Sequence, residues 1–165
     1  MTDYAAFAAV YAEQQRALWA YLRRLGAAPE LATDLVQDCF LRWLELPQHS
    51  SDLAQPKAWL YVTASRLYID HRRRHGREVD WETSGAEPIA DIDGNDSAIA
   101  ATVWSALSAR QRQLLWLAYA EGFEHAEIAR ITGVASASVR VLLSRARTRL
   151  ADLLAPEREE RHERA

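Results

Sequence analysis

Apolar residues recur three and four positions apart through most of this chain, and in no segment do they alternate one by one. A period near 3.6 places a stripe along one side of a helix, whereas a half-buried strand needs a period of two. The chain is therefore expected to be all-α. One stretch breaks the rhythm. Residues 76–96 hold three glycines, a proline and few apolar side chains, the composition of a linker. The expected architecture is two small helical domains joined by a flexible acidic linker: residues 1–76, a linker over 77–97, residues 98–155, and a charged tail over 156–165. A length of 165 residues suits two small domains, and 49% apolar residues can fill their cores.

Punctuation locates the helices. In the first block, residues 3–25 bury a stripe of Phe7, Val10, Tyr11, Leu18, Leu22 and Leu25, with Gly26 as the stop. Residues 29–46 turn Leu31, Leu35, Val36, Cys39, Phe40, Trp43 and Leu44 inward and end at Pro47. Residues 56–75 start on Pro56, a good first-turn residue, and end at Gly76. The second block reads as helices over 98–107, 109–121, 124–131 and 136–154, with Ser108 and Gln111 spaced as a capping box.

The net charge of −3 hides a pattern. Residues 76–97 carry seven acids and one base, whereas residues 98–155 carry seven arginines and four acids. Two neutral-to-basic blocks thus flank an acidic strip. Nineteen of the twenty bases are arginine, whose planar fork matches phosphates and base edges. The single cysteine, Cys39, excludes an internal disulfide, and its place on an apolar face makes it a core residue. No apolar run reaches the roughly 20 residues of a membrane span, and the first residues lack a signal peptide's basic-then-apolar order. A cytoplasmic chain without membrane insertion is expected.

Residues 125–149 carry the strongest local signal. Ala129 is small where two helices would cross, Gly133 supplies a tight turn four residues on, and Val139 plugs the second helix into the first. That spacing fits a helix-turn-helix. The second helix would bury Val139, Leu143, Ala146 and Leu150. It would offer Ser136, Ser138, Arg140, Val141, Ser144, Arg145 and Arg147 to DNA, with Arg140 and Arg145 reaching bases or phosphates and Arg147 phosphates. Acids are absent between Glu127 and Asp152, which favours DNA over a merely solvated face.

Residues 57–75 interleave aromatics with cations. Leu60, Ala64 and Leu67 form a core stripe. Trp59, Thr63, Arg66, Asp70 and Arg73 share one neighbouring face, and Tyr61, Ser65, Tyr68 and Arg72 share another, with Arg74 in the closing arginine run. Two readings stand for the rings: they stack on unpaired bases, at about 1–3 kcal/mol each, or they fill the core. His71 and His75 have a metal-ligand spacing but no third ligand nearby, so no metal or other cofactor is expected.

Together, Asp34-Leu-Val-Gln-Asp-Cys-Phe-Leu-Arg, Ala58-Trp-Leu-Tyr, Ile69-Asp70 with the arginine run, Leu107-Ser-Ala-Arg-Gln-Arg, Glu127-Ile-Ala, Gly133-Val, Ser138-Val-Arg and Arg145-Ala-Arg carry a resemblance. In this order they resemble the bacterial sigma factors of the extracytoplasmic-function (ECF) group, over nearly everything except the linker and tail. The resemblance implies a three-helix sigma-2 domain over 1–76 that binds core RNA polymerase and melts the −10 promoter element. It also implies a four-helix sigma-4 domain over 98–155 that reads the −35 element and touches the polymerase flap. The −10 residues would be Trp59, Tyr61, Arg66, Asp70, Arg72, Arg73 and Arg74. Asp34, Gln37, Asp38, Leu41 and Glu45, on one face of the second helix, would meet a basic coiled coil of the polymerase. The implied partners are core RNA polymerase, promoter DNA and an anti-sigma factor, and the free chain is expected to be a monomer.

Three departures from the family pattern stand out. Leu31 and Thr33 replace acids that often precede Asp34, and phosphorylation of Thr33 would restore the charge. Arg66 replaces a base-reading asparagine. Val141 and Leu142 replace a small polar residue and an arginine, which favours contact with thymine methyls. No catalytic motif is present, so the expected role is a promoter-specificity subunit and not an enzyme. The alternative is a sigma-like mimic that binds an anti-sigma factor without reading promoters. An ordinary helix-turn-helix repressor would leave residues 1–76 unexplained.

Overall fold

The computed structural model describes residues 3–82 and 97–164. Most of the acidic strip, and the expectation that it is a linker, therefore lie outside the described residues. The described residues are largely helical and contain no strand. Among them, no helix is long and apolar enough to cross a membrane. The chain divides into two compact units whose main boundary in sequence falls between Val79 and Asp80, with Arg130–Gly133 grouped with the first.

The first unit packs α1 (Tyr4–Leu25), α2 (Pro29–Leu44) and α3 (Pro56–Arg74) against one another. The Asp3 carboxylate accepts from the Ala5 and Ala6 amides and so caps α1. Gly26 ends α1 at φ 111°, and a Cβ there would come within 3.1 Å of the Tyr68 hydroxyl. The chain can make this corner only because the residue is glycine. Leu18, Tyr21 and Leu22 of α1 meet Leu60, Tyr61 and Ala64 of α3 in a fully buried core. That core carries internal hydrogen bonds. Ser65 Oγ donates to the Tyr61 carbonyl and lies 2.7 Å from the Tyr21 hydroxyl, while the Tyr68 hydroxyl donates to the Leu25 carbonyl at 3.1 Å. Buried polar atoms satisfied in this way cost little and fix the register of α3 on α1. A short 3-10 turn, Ser51–Ala54, leads into α3 where only a connection is expected.

The second unit contains α4 (Ser97–Ala106), α5 (Ala109–Leu115), the first part of α6 (His125–Thr132) and α7 (Ser136–Glu163). The capping box forms as its spacing predicts. Ser108 Oγ accepts from the Gln111 amide at 3.1 Å, and Gln111 Oε1 accepts from the Ser108 amide at 3.0 Å. Leu107, Leu115 and Ala146 form a buried cluster against which Trp104, Leu150 and Leu153 pack.

Two elements differ from expectation. The helix expected over 109–121 is α-helical only to Leu115 and then widens into a π turn, Trp116–Ala120, closed by Glu121 donating to the Trp116 carbonyl. Helix α7 does not stop near Leu154 but runs on through Pro156 to Glu163, so the expected charged tail is helical. Proline removes one donor, but the Glu, Arg and His residues beyond it are compatible with a helix, and most are good helix formers.

Candidate nucleic-acid interface

The helix-turn-helix is built as its spacing predicts. Helix α6 buries Ile128 and Ile131, the turn passes through Gly133 at φ 74°, and Val139, Leu143 and Ala146 of α7 are buried. The Glu127 carboxylate accepts from the Glu124 amide and so caps α6. With this stripe inward, Ser136, Ser138, Arg140, Val141, Ser144, Arg145 and Arg147 are all exposed. Val141 is 49% exposed, while Leu142 is half-buried, so of this pair Val141 is the more open to a thymine methyl. No acid lies in the first turn of α7. The exposed side is a cationic surface of arginines and small hydroxyls, suited to phosphates and base edges.

Arg147 differs from its neighbours. Its guanidinium donates to the Tyr119 hydroxyl at 2.8 Å. Both residues border an apolar groove of about 470 Å³ lined by Trp104, Leu115, Trp116, Leu150 and Leu154. The π turn contributes to this surface: Leu117 points inward and is fully buried, while Tyr119 is 60% exposed. Sequence reading did not single out Trp104, Trp116 and Tyr119 as neighbours, because the extra residue of a π turn leaves no mark in hydropathy.

On α3 the aromatic–arginine face divides. Tyr61 is fully buried, its ring 4.9 Å from that of Tyr21, and Ser65 and Tyr68 are buried beside it. The expectation that Tyr61 faces DNA is corrected: it belongs to the core. A tyrosine fits either place, because its ring is large and apolar while its hydroxyl is polar. Trp59 is half-buried, with its ring edge-on to Trp43 at 5.4 Å. Arg66, Asp70, Arg73 and Arg74 are exposed, and Arg72 is half-buried. The exposed cations therefore gather towards the end of α3. The His71 and His75 rings stack there at 4.0 Å. Desolvation, then His75 and the neighbouring arginines, push the His71 pKa down.

On α2 the row of Asp34, Gln37, Asp38, Leu41 and Glu45 is exposed, opposite Leu35, Val36, Cys39, Phe40 and Trp43. Burial, with a smaller push from Asp38, raises the Cys39 thiol to about 12, so it remains protonated inside the core. Thr33 is exposed, and its hydroxyl donates to the Pro29 carbonyl at 3.0 Å while accepting from the Trp19 indole at 3.2 Å.

Residues 10–78 match the sigma-70 region 2 family and residues 101–150 match the sigma-70 region 4 family. The chain is 33% identical over 140 residues to the ECF RNA polymerase sigma factor SigL of Mycobacterium tuberculosis, covering 80% of this chain and 79% of that protein. It is 26% identical over 150 residues to the ECF sigma factor SigM of Bacillus subtilis, covering 86% and 90%. Among solved structures, the sigma factor RpoE from Bartonella quintana, in complex with the anti-sigma factor NepR, aligns with a TM-score of 0.63 and 30% identity, covering 86% of this chain and 91% of that one.

Proposed function

The chain belongs to the ECF group of the sigma-70 family, whose members direct promoter-specific initiation, and from that premise we propose how its surfaces divide the work. The α2 row of Asp34, Gln37, Asp38, Leu41 and Glu45 docks on core RNA polymerase. Residues 136–147 of α7 read the −35 element. Trp59, Arg66, Asp70, Arg72, Arg73 and Arg74 of α3 engage the −10 strand, now without Tyr61. The Trp104–Tyr119 groove takes an apolar segment of a protein partner, either the polymerase flap or an anti-sigma factor. Thr33 phosphorylation would extend the acidic row, at the cost of the hydroxyl's bond to the Pro29 carbonyl.

The observation that carries this reading is Leu41, 58% exposed in the middle of a row of acids. Leucine and carboxylates at helical spacing offer a partner both area and charge complementarity. A helix-turn-helix repressor has no use for such a row. The decisive experiment is run-off transcription with core polymerase on promoter fragments, comparing the native chain with Leu41→Asp. The native chain should initiate from a defined site and the variant should lose core binding. Core binding without initiation would favour the mimic, and no core binding by the native chain would sink both the assignment of the row and the promoter-specificity role.

A further inference from the structure

Helix α3 closes on two histidines whose ring nitrogens are not equivalent. His75 is exposed, and its Nδ1 lies 2.9 Å from the His71 carbonyl oxygen, which also accepts from the His75 amide at 3.2 Å. A carbonyl oxygen can only accept, so Nδ1 carries a hydrogen and donates it. In the neutral ring the other nitrogen, Nε2, is then a bare lone pair. The half-buried His71 ring lies against that of His75, with centroids 4.0 Å apart. Arg73 and Arg74, just before His75 in the chain, are exposed. The charges that act on His71 are His75, Arg72 and Arg74. Among the described residues no carboxylate of α1, α2 or α3 is ion-paired with either ring.

We propose that His75 grips a phosphate of the −10 strand by taking up a proton at Nε2, so that capture of the strand is coupled to proton uptake. The inference rests on the reading of α3 as the −10 surface. A phosphate oxygen offers lone pairs and no hydrogen, so a bare Nε2 repels it. A proton at Nε2 turns the same atom into a charged donor, which makes the stronger kind of hydrogen bond. The proton comes from solvent and forms one N–H bond, and no other bond has to break. The imidazolium keeps its hydrogen at Nδ1, so the bond to the His71 carbonyl survives and the ring need not turn. An arginine is a donor throughout the physiological pH range, whereas a histidine held in this tautomer donates from Nε2 only after protonation. His71 is a poor rival for that proton, because desolvation, then His75, Arg72 and Arg74, push its pKa down. The bound state holds one proton more than the free state, so affinity rises as pH falls.

The test is strand binding by holoenzyme, assembled from core polymerase and the full chain. The probe is a fluorescein-labelled single strand carrying the −10 element of a promoter located by run-off transcription. Between about pH 7.5 and pH 6, native affinity should rise about fivefold more than that of His75→Gln, within the limit of about tenfold per pH unit for one proton. Glutamine is polar but does not titrate in this range. His49, His71, His125 and His162 are common to both proteins, so the difference isolates His75. His71→Gln keeps the backbone carbonyl that holds Nδ1 and should keep the native pH slope. Circular dichroism across the same range checks that both variants stay helical. NMR of the imidazole nitrogens in the free full chain should find the neutral His75 ring protonated at Nδ1. Equal slopes for native and His75→Gln overturn the proposal, as does a free chain protonated at Nε2 instead. A native holoenzyme that binds the strand at no pH overturns the −10 reading along with it, whereas binding with equal slopes overturns only the proton-coupled contact.

Discussion

Helices α3 and α7 both carry arginines beside apolar residues, but they spend their length differently. Helix α3 buries two faces for most of its span, and its exposed cations collect towards the end. Helix α7 buries one narrow stripe, Val139, Leu143 and Ala146, and leaves arginines open along the rest. The difference follows from their neighbours. Helix α3 packs against both α1 and α2 and shares hydrogen bonds with α1. Helix α7 packs chiefly through one side, on α5 and α4. A helix in the middle of a unit has little surface left for a ligand, so α3 is first a piece of scaffold, whereas α7 keeps a long open face for one.

The largest effect that tests this contrast comes from Tyr61. Replacing a fully buried ring by alanine leaves a cavity between α1 and α3, and the expected loss is about 3–5 kcal/mol of stability. Urea denaturation of Tyr61→Ala measures it. Were the variant to keep native stability and lose −10 strand binding instead, the ring would belong to the DNA surface and the contrast would collapse.

Arg140 and Arg145 should show the opposite signature. Each substitution to alanine is expected to weaken promoter binding by about 1–3 kcal/mol if the side chain reads a base, or to lower the salt slope by about 0.9 if it contacts a phosphate. The melting temperature should be unchanged, because both side chains are exposed. Binding titrations at several salt concentrations separate the two roles. A melting point several degrees lower would show that the α7 surface is structural after all.

Gly26→Ala tests what holds α3 in place. At φ 111° an L-residue is strained, and its Cβ would crowd the Tyr68 hydroxyl that bonds the Leu25 carbonyl. A loss of about 1–2 kcal/mol is expected. Native stability would show that the corner can open without disturbing α3.

Residues whose chemistry permits one environment were legible in advance. Gly26 and Gly133 mark turns, Ser108 and Gln111 mark a cap, and the arginines of α7 had to be outside because burying a guanidinium without partners is costly. The acidic row of α2 was legible for the same reason. Tyr61 was not, since a tyrosine fits a core or a surface and only the position of Tyr21 decides. Nor was the contact of the Trp81 ring with Arg110, 29 residues away in sequence. The π turn and the passage of α7 through Pro156 were missed because both depend on backbone geometry that side-chain type leaves open.

The smallest expected effect is at Arg147, and it sharpens the contrast within α7 itself. Sequence reading assigns Arg147 to phosphates, but its guanidinium is engaged by Tyr119 at the rim of the apolar groove. To reach a phosphate it must give up that bond, so part of any gain is offset. Arg147→Ala should therefore weaken promoter binding less than about threefold, against tenfold or more for Arg145→Ala. Tyr119→Phe removes the competing acceptor and leaves the arginine in place, so it should leave promoter affinity unchanged or raise it slightly. If Tyr119→Phe instead lowers affinity as much as Arg145→Ala does, the tyrosine is holding Arg147 in position for DNA. The groove edge would then be part of the reading head, and α7 would use both of its flanks to bind the promoter.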